Sequence, residues 1–370
     1  MIKIFFGILI ASFLIGISYL NTKVYGYGLR LSPEQNKLVF FIFLLIPLLF
    51  ALSMLLGFSG LLPSIFHRVM QMIAGYGLYL FFGALALGTI YILGFVFKVN
   101  IPYYFSYIFL ALSLGLATFG YIQARFIKVV DYTIKDPKVP ESLVGKKAIL
   151  VADTHFGKIN HKGFSDKVVK KIISLNPDFV LHGGDFYDGP KNDTTLITES
   201  WKKLTAKYPV FMAPGNHEEY GDYRGFLESI ANAGVVTLED KKVSYGDIDI
   251  VGVKYRENRG ENNTANLASV DNTLKSLNID ENKFTILINH APTALSVANQ
   301  NKIDLQVSGH THRGQFWPLN YIVYSIYKEY TYGLHPYQDL QVLTTSGVGT
   351  ASVPSRLFNT PELVRITFEK

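Results

Sequence analysis

The stretch Phe179-Val180-Leu181-His182-Gly183-Gly184-Asp185-Phe186-Tyr187-Asp188 is an apolar run that ends in paired glycines and two carboxylates. Paired glycines let a backbone turn tightly and approach an ion closely. Four other apolar runs end in similar polar turns, which are Asp153-Thr154-His155, Gly215-Asn216-His217-Glu218, Asn289-His290 and Gly309-His310-Thr311-His312. Because ligands bind at the carboxyl ends of strands in open α/β sheets, we expect these five turns to converge.

The sequence around these turns predicts an α/β domain that starts near Lys146. Apolar or β-branched runs predict strands near 148–152, 179–181, 209–213, 247–253, 284–288, 303–307, 340–345 and 362–368. Helical periodicity predicts helices at 165–175, with Ser165 as the cap, and at 223–233, ended by Gly234. Strand–helix alternation followed by strand-rich sequence is typical of a layered, mixed-sheet domain.

The side chains of the five turns offer only nitrogen and oxygen ligands. The chain has no cysteine, which excludes disulfides, thiolate zinc sites and iron–sulfur clusters. Histidine, aspartate and asparagine together suit Mn, Fe, Zn or Co, and the number of candidates favours two ions. Each turn taken alone also fits an ordinary loop or a buried histidine. Their combination after five apolar strands indicates a metal site.

The amino-terminal third has a different composition. Of the 64 charged residues, residues 1–122 contain only Lys3, Lys23, Arg30, Glu34, Lys37, Arg68 and Lys98. Four apolar stretches, at about 4–20, 38–57, 72–97 and 103–122, approach or exceed the roughly 20 residues that span a bilayer. We therefore predict an all-α region of four transmembrane helices over 1–122, a juxtamembrane linker over 123–145 and the α/β domain over 146–370.

Two alternatives exist for the apolar stretches. The first stretch also fits a cleaved signal peptide. However, Ser18-Tyr19-Leu20 lacks the small-x-small pattern of a signal-peptide cleavage site, and three more predicted spans follow. A wholly buried helical domain would need polar faces that the stretches lack. No acid or base lies inside the predicted spans to mark a transport path, so an anchor is favoured over a channel or pump.

The formal charge of +6 divides into +5 before residue 123 and +1 after it. The excess flanks apolar segments and forms no basic stripe, so we expect no nucleic-acid partner and a lipid bilayer instead. An even number of spans places Met1 and the α/β domain on one side of the membrane. The positive-inside count is close to a tie, with four bases on one side against six on the other.

The five turns together resemble the signature of the calcineurin-like metallophosphoesterases. That signature contains D-x-H, G-D-x-x-D, G-N-H-E/D, a single His and G-H-x-H, and each element is present in the turns quoted above. The resemblance covers 147–370, and its branch looks like the transmembrane proteins with a metallophosphoesterase domain and their exported bacterial relatives. It implies a four-layer α/β fold in which two mixed β-sheets pack between helices. The exported relatives favour an extracytoplasmic catalytic domain in a multi-pass membrane protein.

The resemblance also implies a role for each residue of the site. Asp153, His155 and His312 would hold the first divalent ion, Asn216, His290 and His310 would hold the second, and Asp185 would bridge them. A metal-bridged hydroxide would attack phosphorus while His217 protonates the leaving group and Asp188 orients His217. Asp188 also fits a turn-stabilising role before Gly189.

Two further features allow more than one interpretation. Arg313 follows the last turn where soluble relatives more often have Gly, and it is either a phosphate-binding residue or a solvated arginine. The segment 318–337 contains six tyrosines after Phe316 and Trp317. It either rests on lipid headgroups or forms a helical hairpin whose tyrosines pack on the sheet.

The sequence therefore predicts a membrane-anchored bimetal phosphoesterase that hydrolyses a phosphodiester or pyrophosphate in a lipid-linked or envelope substrate. Related enzymes that hydrolyse UDP-diacylglucosamine make this substrate class conceivable. One alternative is a nuclease or cyclic-nucleotide phosphodiesterase on the same site, although the nearly neutral domain speaks against polynucleotides. Another is a non-catalytic membrane binding module. Residue patterns leave the native metals and the oligomeric state open.

Overall fold

The computed structural model describes residues 2–58, 62–188, 194–256 and 264–370, excluding the side chains of residues 2–14, 58 and 264–266. The chain forms two compact units. The first contains Met1–Ile122 and Ser352–Leu357, and the second contains Gln123–Ala351 and Phe358–Lys370. Gly189, and the side chains of most of the first predicted span, lie outside the described residues.

The helices of the first unit, over its described residues, are α1 (Ile2–Gly28), α2 (Pro33–Phe58), α3 (Ser64–Val96) and α4 (Tyr104–Gln123). Helix α3 begins directly after Pro63, eight residues before the predicted start at 72. The polar turn around His67 and Arg68 continues the helix beyond the apolar stretch, which hydropathy alone does not detect.

Among the residues that the structure describes, three helical segments are long and apolar enough to cross a membrane. They are Pro33–Gly57, Ser64–Val96 and Tyr104–Gln123. These segments correspond to the second, third and fourth predicted spans. The first predicted span lies within α1 and stays a prediction.

Small and polar residues allow close packing between the helices of the first unit. The Tyr25 hydroxyl lies 3.2 Å from the carbonyl oxygen of Leu80 and 3.3 Å from the Ser113 hydroxyl. A Cβ atom at Gly83 would lie 2.0 Å from Ser113 Oγ. A larger residue at this position would force the Ser113 side chain to move, so glycine favours the close approach of α3 and α4.

The second unit contains two six-stranded sheets. The first sheet has the order β1-β12-β2-β3-β4-β5, with β1 (Lys128–Lys135), β2 (Lys147–Val151), β3 (Phe179–His182), β4 (Val210–Met212), β5 (Val236–Thr237) and β12 (Glu362–Glu369). The second has the order β10-β11-β9-β8-β7-β6, with β6 (Lys241–Tyr245), β7 (Ile248–Gly252), β8 (Thr285–Ile288), β9 (Leu305–Ser308), β10 (Gly333–Tyr337) and β11 (Leu340–Thr344). Both sheets are mixed, since β12 pairs antiparallel with β2, and β6 pairs antiparallel with β7.

In the described part of this unit, the helices that accompany the sheets are α5 (Lys162–Ser174), α6 (Thr195–Thr205), α7 (Asn216–Glu219), α8 (Tyr223–Asn232), α9 (Thr264–Ser276), α10 (Leu295–Gln300) and α11 (Asn320–Tyr327). One apolar core, which includes Leu181 and Ile286, lies between the two sheets. A second core packs α5, α6 and α8 on the first sheet, and a third packs α9 and α10 on the second. The predicted α/β architecture with two mixed sheets between helices is confirmed.

Two local predictions differ from the structure. The segment 123–145 contains strand β1, which pairs in parallel with β12 over eight residues, so it is more than a linker. Strand β1 is half exposed at the sheet edge, and its lysines and Asp131 hide the strand pattern.

Helix α5 begins at Lys162 with His161 as its cap, because the His161 ring accepts a hydrogen bond from the Gly163 N–H. Ser165, the predicted cap, is buried inside the helix.

Candidate metal centre

The polar turns after β2, β3, β4, β8 and β9 meet at one place. Asp153, Asp185, Asn216, His290 and His310 lie two to four residues beyond the ends of these strands. The His310 N–H donates to Asp153 Oδ1 over 2.9 Å, which joins the turns after β2 and β9. His290 Nδ1 lies 2.6 Å from the carbonyl oxygen of Gly183, which joins the turns after β8 and β3.

The backbone is left-handed at five of the seven candidate metal ligands, with φ between 45° and 67° at Asp153, His155, Asp185, His310 and His312. This conformation is uncommon for residues other than glycine and costs free energy. It turns the side chains inward immediately after each strand. The hydrogen bonds between the turns therefore hold strained residues at the centre of the site.

The first cluster of candidate ligands contains Asp153, His155 and His312. One side-chain atom of each lies within 4.8 Å of those of the other two. The Nε2 atoms of His155 and His312 are 2.9 Å apart, and His312 Nε2 is 3.8 Å from Asp153 Oδ1. All three residues are buried, so their polar atoms face one another rather than water.

The second cluster contains Asn216, His290 and His310. Asn216 Oδ1 lies 3.1 Å from His290 Nε2 and 3.0 Å from His310 Nδ1, and these two nitrogens are 3.3 Å apart. Because His290 Nδ1–H donates to the Gly183 carbonyl, Nε2 is the ring atom that points at the cluster. A second hydrogen bond of this kind fixes the tautomer of metal-binding histidines.

The carboxylate of Asp185 lies between the two clusters. Its Oδ2 atom is 3.7 Å from His155 Nε2 and 3.2 Å from His290 Nε2. Its Oδ1 atom accepts a hydrogen bond of 2.9 Å from the His217 N–H. One oxygen of Asp185 thus faces a histidine of each cluster.

The electrostatics of the site favour positive charge at its centre. Burial lowers the pKa of His290, but the carboxylates of Asp185 and Asp153 outweigh burial and raise it to about 9. Burial and the charge of His290 lower the pKa of His310 to about 3. Two buried carboxylates among nitrogen ligands are a donor set that fits divalent cations.

The sequence relationships agree with this donor set. A model of the calcineurin-like phosphoesterase family matches residues 146–314. The chain is 30% identical to an uncharacterized metallophosphoesterase of Helicobacter pylori over 263 residues, which covers 69% of each chain. The chain belongs to the calcineurin-like phosphoesterase family. This family consists of metal-dependent phosphoric ester hydrolases, so the prediction of an enzyme of this class is confirmed.

Other metallophosphoesterases are similar to the chain. The transmembrane protein with metallophosphoesterase domain of Danio rerio is 28% identical over 273 residues, which covers 70% of this chain and 62% of that protein. An uncharacterized metallophosphoesterase of Aquifex aeolicus is 26% identical over 263 residues, which covers 70% of this chain and 98% of that protein.

Glu218 lies beside the candidate ligands, and the sequence assigned it no role. Its buried carboxylate accepts four backbone N–H groups, with Oε2 bound to Gly215 (2.7 Å) and Asp185 (3.1 Å), and Oε1 bound to Phe186 (2.8 Å) and Tyr187 (3.1 Å). These bonds fix the turns that carry Asp185 and Asn216 relative to each other. The position of a glutamate three residues after Gly215, where a capping box places it, was the available signal.

Tyr220 is a second residue that the sequence analysis missed. Asn216 Nδ2 donates to the Tyr220 hydroxyl over 3.0 Å, which leaves Asn216 Oδ1 facing His290 and His310. The Tyr220 ring also lies 4.9 Å from the His217 ring, measured between centroids. No sequence signal distinguishes this tyrosine from the other 22.

His217 and Asp188 form a pair beside the first cluster. His217 Nδ1 is 3.0 Å from Asp188 Oδ1, and its ring centroid is 4.4 Å from that of His155. Burial opposes the charged form of His217, but the carboxylates of Asp185 and Asp188 outweigh burial and raise its pKa to about 9. His217 also lies within ligand distance of His155 and Asp185.

Arg313 is exposed at the edge of the site. Its guanidinium carbon lies 4.2 Å from the centroid of the Tyr332 ring, and the Tyr332 hydroxyl donates to Glu362 Oε2 over 2.9 Å. A guanidinium that contacts an aromatic face retains its charge, and its N–H donors point outward from the edge of its plane. The structure thus gives Arg313 a defined position on an aromatic ring.

The tyrosine-rich segment after Pro318 divides into two parts. In α11, Tyr321 is 65% exposed and Tyr324 is 54% exposed, together with the neighbouring Ile322 and Ile326. Farther along, the partly buried Tyr330 and Tyr337 pack on the core beside the second sheet. The interpretation that the tyrosines pack on the sheet therefore describes the second part of the segment and fails for α11.

We expect Glu218→Ala to destabilise the second unit by at least about 3 kcal/mol, because it leaves four buried N–H groups without an acceptor. Both tryptophans of the chain, Trp201 and Trp317, lie in this unit, so tryptophan fluorescence during denaturant unfolding of the full chain measures the effect.

Glu219→Ala is the matched control for Glu218→Ala. Glu219 makes only a partly exposed ion pair of 3.4 Å with Lys254, so its loss should cost less than about 1 kcal/mol. Equal stability of the two variants would show that Glu218 does not fix the turns.

Proposed function

We propose that the protein is a membrane-anchored phosphoesterase with two divalent metal ions that hydrolyses a phosphodiester or pyrophosphate in a lipid-linked or envelope substrate. The observation that carries this proposal is the position of Asp185 Oδ2, at 3.7 Å from His155 Nε2 and 3.2 Å from His290 Nε2. A carboxylate between two sets of buried nitrogen ligands is suited to two ions.

Each ion has its own set of protein ligands in this proposal. Asp153, His155 and His312 would hold one ion, Asn216, His290 and His310 would hold the other, and Asp185 would bind both. When bound, such ions of the Mn, Fe, Zn or Co class supply Lewis-acid chemistry and lower the pKa of water toward 7. With the ions bound, the carboxylates and the imidazoles, which would then be deprotonated, would supply the oxygen and nitrogen donors that these ions prefer.

His217 would donate a proton to the leaving oxygen of the substrate. Its Nδ1 atom faces Asp188 at 3.0 Å, which leaves Nε2 as the donor toward substrate. Asp188 orients the ring and favours its protonated form. When cations bind Asp185, the charge of Asp188 is the one that still keeps His217 protonated near neutral pH. The side chain of His217 is 19% exposed, so a substrate can reach it.

Arg313 would bind a non-bridging phosphate oxygen. Its exposed guanidinium lies next in sequence to the proposed ligand His312 and is held over the Tyr332 ring. The planar fork of arginine matches a phosphate group with two parallel hydrogen bonds. This contact with the Tyr332 ring distinguishes Arg313 from an arginine that contacts only solvent.

The exposed face of α11 supports a substrate in a lipid surface. The ring of Tyr327, the last residue of α11, lies 6.0 Å from that of the proposed ligand His310, measured between centroids. On the same helix Tyr321, Ile322 and Tyr324 are exposed. Tyrosine and isoleucine at such a surface favour the boundary between lipid headgroups and acyl chains. A lipid-linked phosphate would thus reach the site from the side of α11.

The most informative experiment measures turnover by the purified full chain of phosphomonoesters, phosphodiesters and pyrophosphates. Each substrate is offered both in solution and on vesicles. The proposal predicts faster turnover of diesters or pyrophosphates than of monoesters, and a preference for vesicle-bound substrate. A preference for polynucleotides or cyclic nucleotides would replace the proposed substrate class. No turnover with any metal would favour a binding module.

Asp185→Asn should remove one or both ions and nearly all turnover, because the amide loses the charge that both ions share. The measurement is metal content per chain together with kcat. Asp271→Asn, on the surface of α9 and paired with Lys275, is the control and should change neither. An Asp185→Asn protein with two ions and near-normal kcat would show that Asp185 does not bind both.

His217→Ala should keep the metal content and lose about 10² to 10⁴ in rate on esters with poor leaving groups. A nitrophenolate leaves without protonation, so the loss on a nitrophenyl ester should be smaller. Asp188→Asn should reproduce part of the same pattern. Equal losses on alkyl and nitrophenyl esters would argue against proton donation by His217, and loss of metal would make His217 a ligand.

Arg313→Lys should lower kcat/KM about ten- to a hundred-fold, the equivalent of one charge-assisted contact of about 1.5–3 kcal/mol. Lysine keeps the charge but loses the planar fork, and Arg313→Gly should lose more. Arg365→Lys, in an exposed ion pair with Asp131, is the control. Full kcat/KM in both Arg313 variants would leave Arg313 without a role in substrate binding.

We further propose that the protein is a multi-pass membrane protein whose second unit lies outside the cytoplasm. The three apolar helices and the transmembrane relatives support membrane association. A reporter that is active only after export, fused after Lys370, should be active. Activity of a cytoplasm-specific reporter at the same position would contradict the proposed orientation. Recovery of the protein in the soluble fraction would contradict the proposed membrane anchor.

A further inference from the structure

A cavity of about 800 Å³ lies between α1 and α2 in the helical unit. Lys23, Arg30 and Lys37 line it, together with the aromatic residues Tyr19 and Phe40. The cavity therefore combines cationic and aromatic walls in one place. It shares no residue with the candidate metal centre.

The three cations form an unusual concentration of charge. Residues 1–122 contain six basic residues in all, and half of them line this one cavity. The only acid in that region, Glu34, accepts a hydrogen bond from the Ser32 hydroxyl and does not line the cavity. Within the part of the chain that the structure describes, none of the three cations is paired with a carboxylate. Their charge is available to an anion.

Aromatic rings hold two of these cations in place. The guanidinium carbon of Arg30 lies 4.3 Å from the centroid of Tyr103, and Lys23 Nζ lies 5.3 Å from that of Tyr19. A cation–π contact positions a cation without neutralising it. The positive charges are therefore oriented as well as concentrated.

Two of the cations lie close to the helix ends that face the α1–α2 connection, and in the membrane-anchored protein proposed above such ends lie at the headgroup region of the bilayer. Lys23 is five residues before the end of α1, and Lys37 is four residues after the start of α2. At 1.5 Å per residue both side chains start about 6–8 Å from the helix ends. Phe40 and Phe41 also line the cavity and lie three and four residues farther into α2 than Lys37. The cavity thus has a cationic end and an apolar end.

We propose that this cavity binds the phosphate group of an anionic lipid, with an acyl chain along Phe40 and Phe41. A phosphate would bridge cations that otherwise repel one another. Basic cavities between transmembrane helices recognise anionic headgroups by the same physics. Free phosphate shares the anionic chemistry but not the acyl chain.

The test is native mass spectrometry of the full chain in detergent, with phosphatidylglycerol, phosphatidylcholine or inorganic phosphate added. The test variant is Lys23→Gln/Arg30→Gln/Lys37→Gln. The control variant is Arg68→Gln/Lys98→Gln, which removes two basic residues of the same unit that do not line the cavity. The charge-conserving variant Lys23→Arg/Arg30→Lys/Lys37→Arg shows whether the fold tolerates change at these positions.

The wild-type chain should retain phosphatidylglycerol at least ten-fold more strongly than phosphatidylcholine, and the triple glutamine variant should lose this preference. The control and charge-conserving variants should keep it. Displacement of the lipid by millimolar inorganic phosphate alone would identify a free-anion site and overturn the lipid assignment. An equal loss in the control variant, or an unchanged preference in the triple variant, would overturn the cavity as the binding site.

Discussion

The site depends on holding the carboxylates of Asp153 and Asp185 close together in the interior. One oxygen of each lies within 4.8 Å of the other and of a His290 nitrogen, and both residues are buried. Burial raises the pKa of Asp153, whereas His290 and His217 hold the pKa of Asp185 well below its usual value despite burial. Two buried like charges require positive charge nearby, and the surrounding imidazoles or bound cations provide it.

Hydrogen bonds from residues that are not candidate metal ligands hold these carboxylates in place despite their electrostatic repulsion. Glu218 binds four backbone N–H groups of the turns after β3 and β4, and Tyr220 orients the Asn216 amide. The parallel strands bring these turns to one edge of each sheet. Left-handed backbone at Asp153 and Asp185 then directs the carboxylates inward. Stability and ligand geometry therefore come from different residues of the same turns.

The sequence predicts the site better than its surroundings. Candidate metal ligands are of a few residue types and follow directly after buried strands, so Asp153, Asp185 and His290 can be recognised in the sequence. Strand β1 was missed because an edge strand exposes polar residues, and its partner β12 is more than 200 residues away. The contact of Arg313 with Tyr332 was equally invisible, because tertiary packing alone brings these residues together. The exposed face of α11 needed the structure to distinguish surface tyrosines from packed ones.

The central claim is that Asp185 is shared by two metal ions. Anomalous diffraction from crystals of the manganese-loaded chain tests it most directly. The account predicts two peaks about 3.5–4 Å apart, the usual spacing of two-metal sites, with one near His155 and His312 and one near Asn216 and His310, and both within bonding distance of Asp185. A single peak, or two peaks of which only one contacts Asp185, would contradict it.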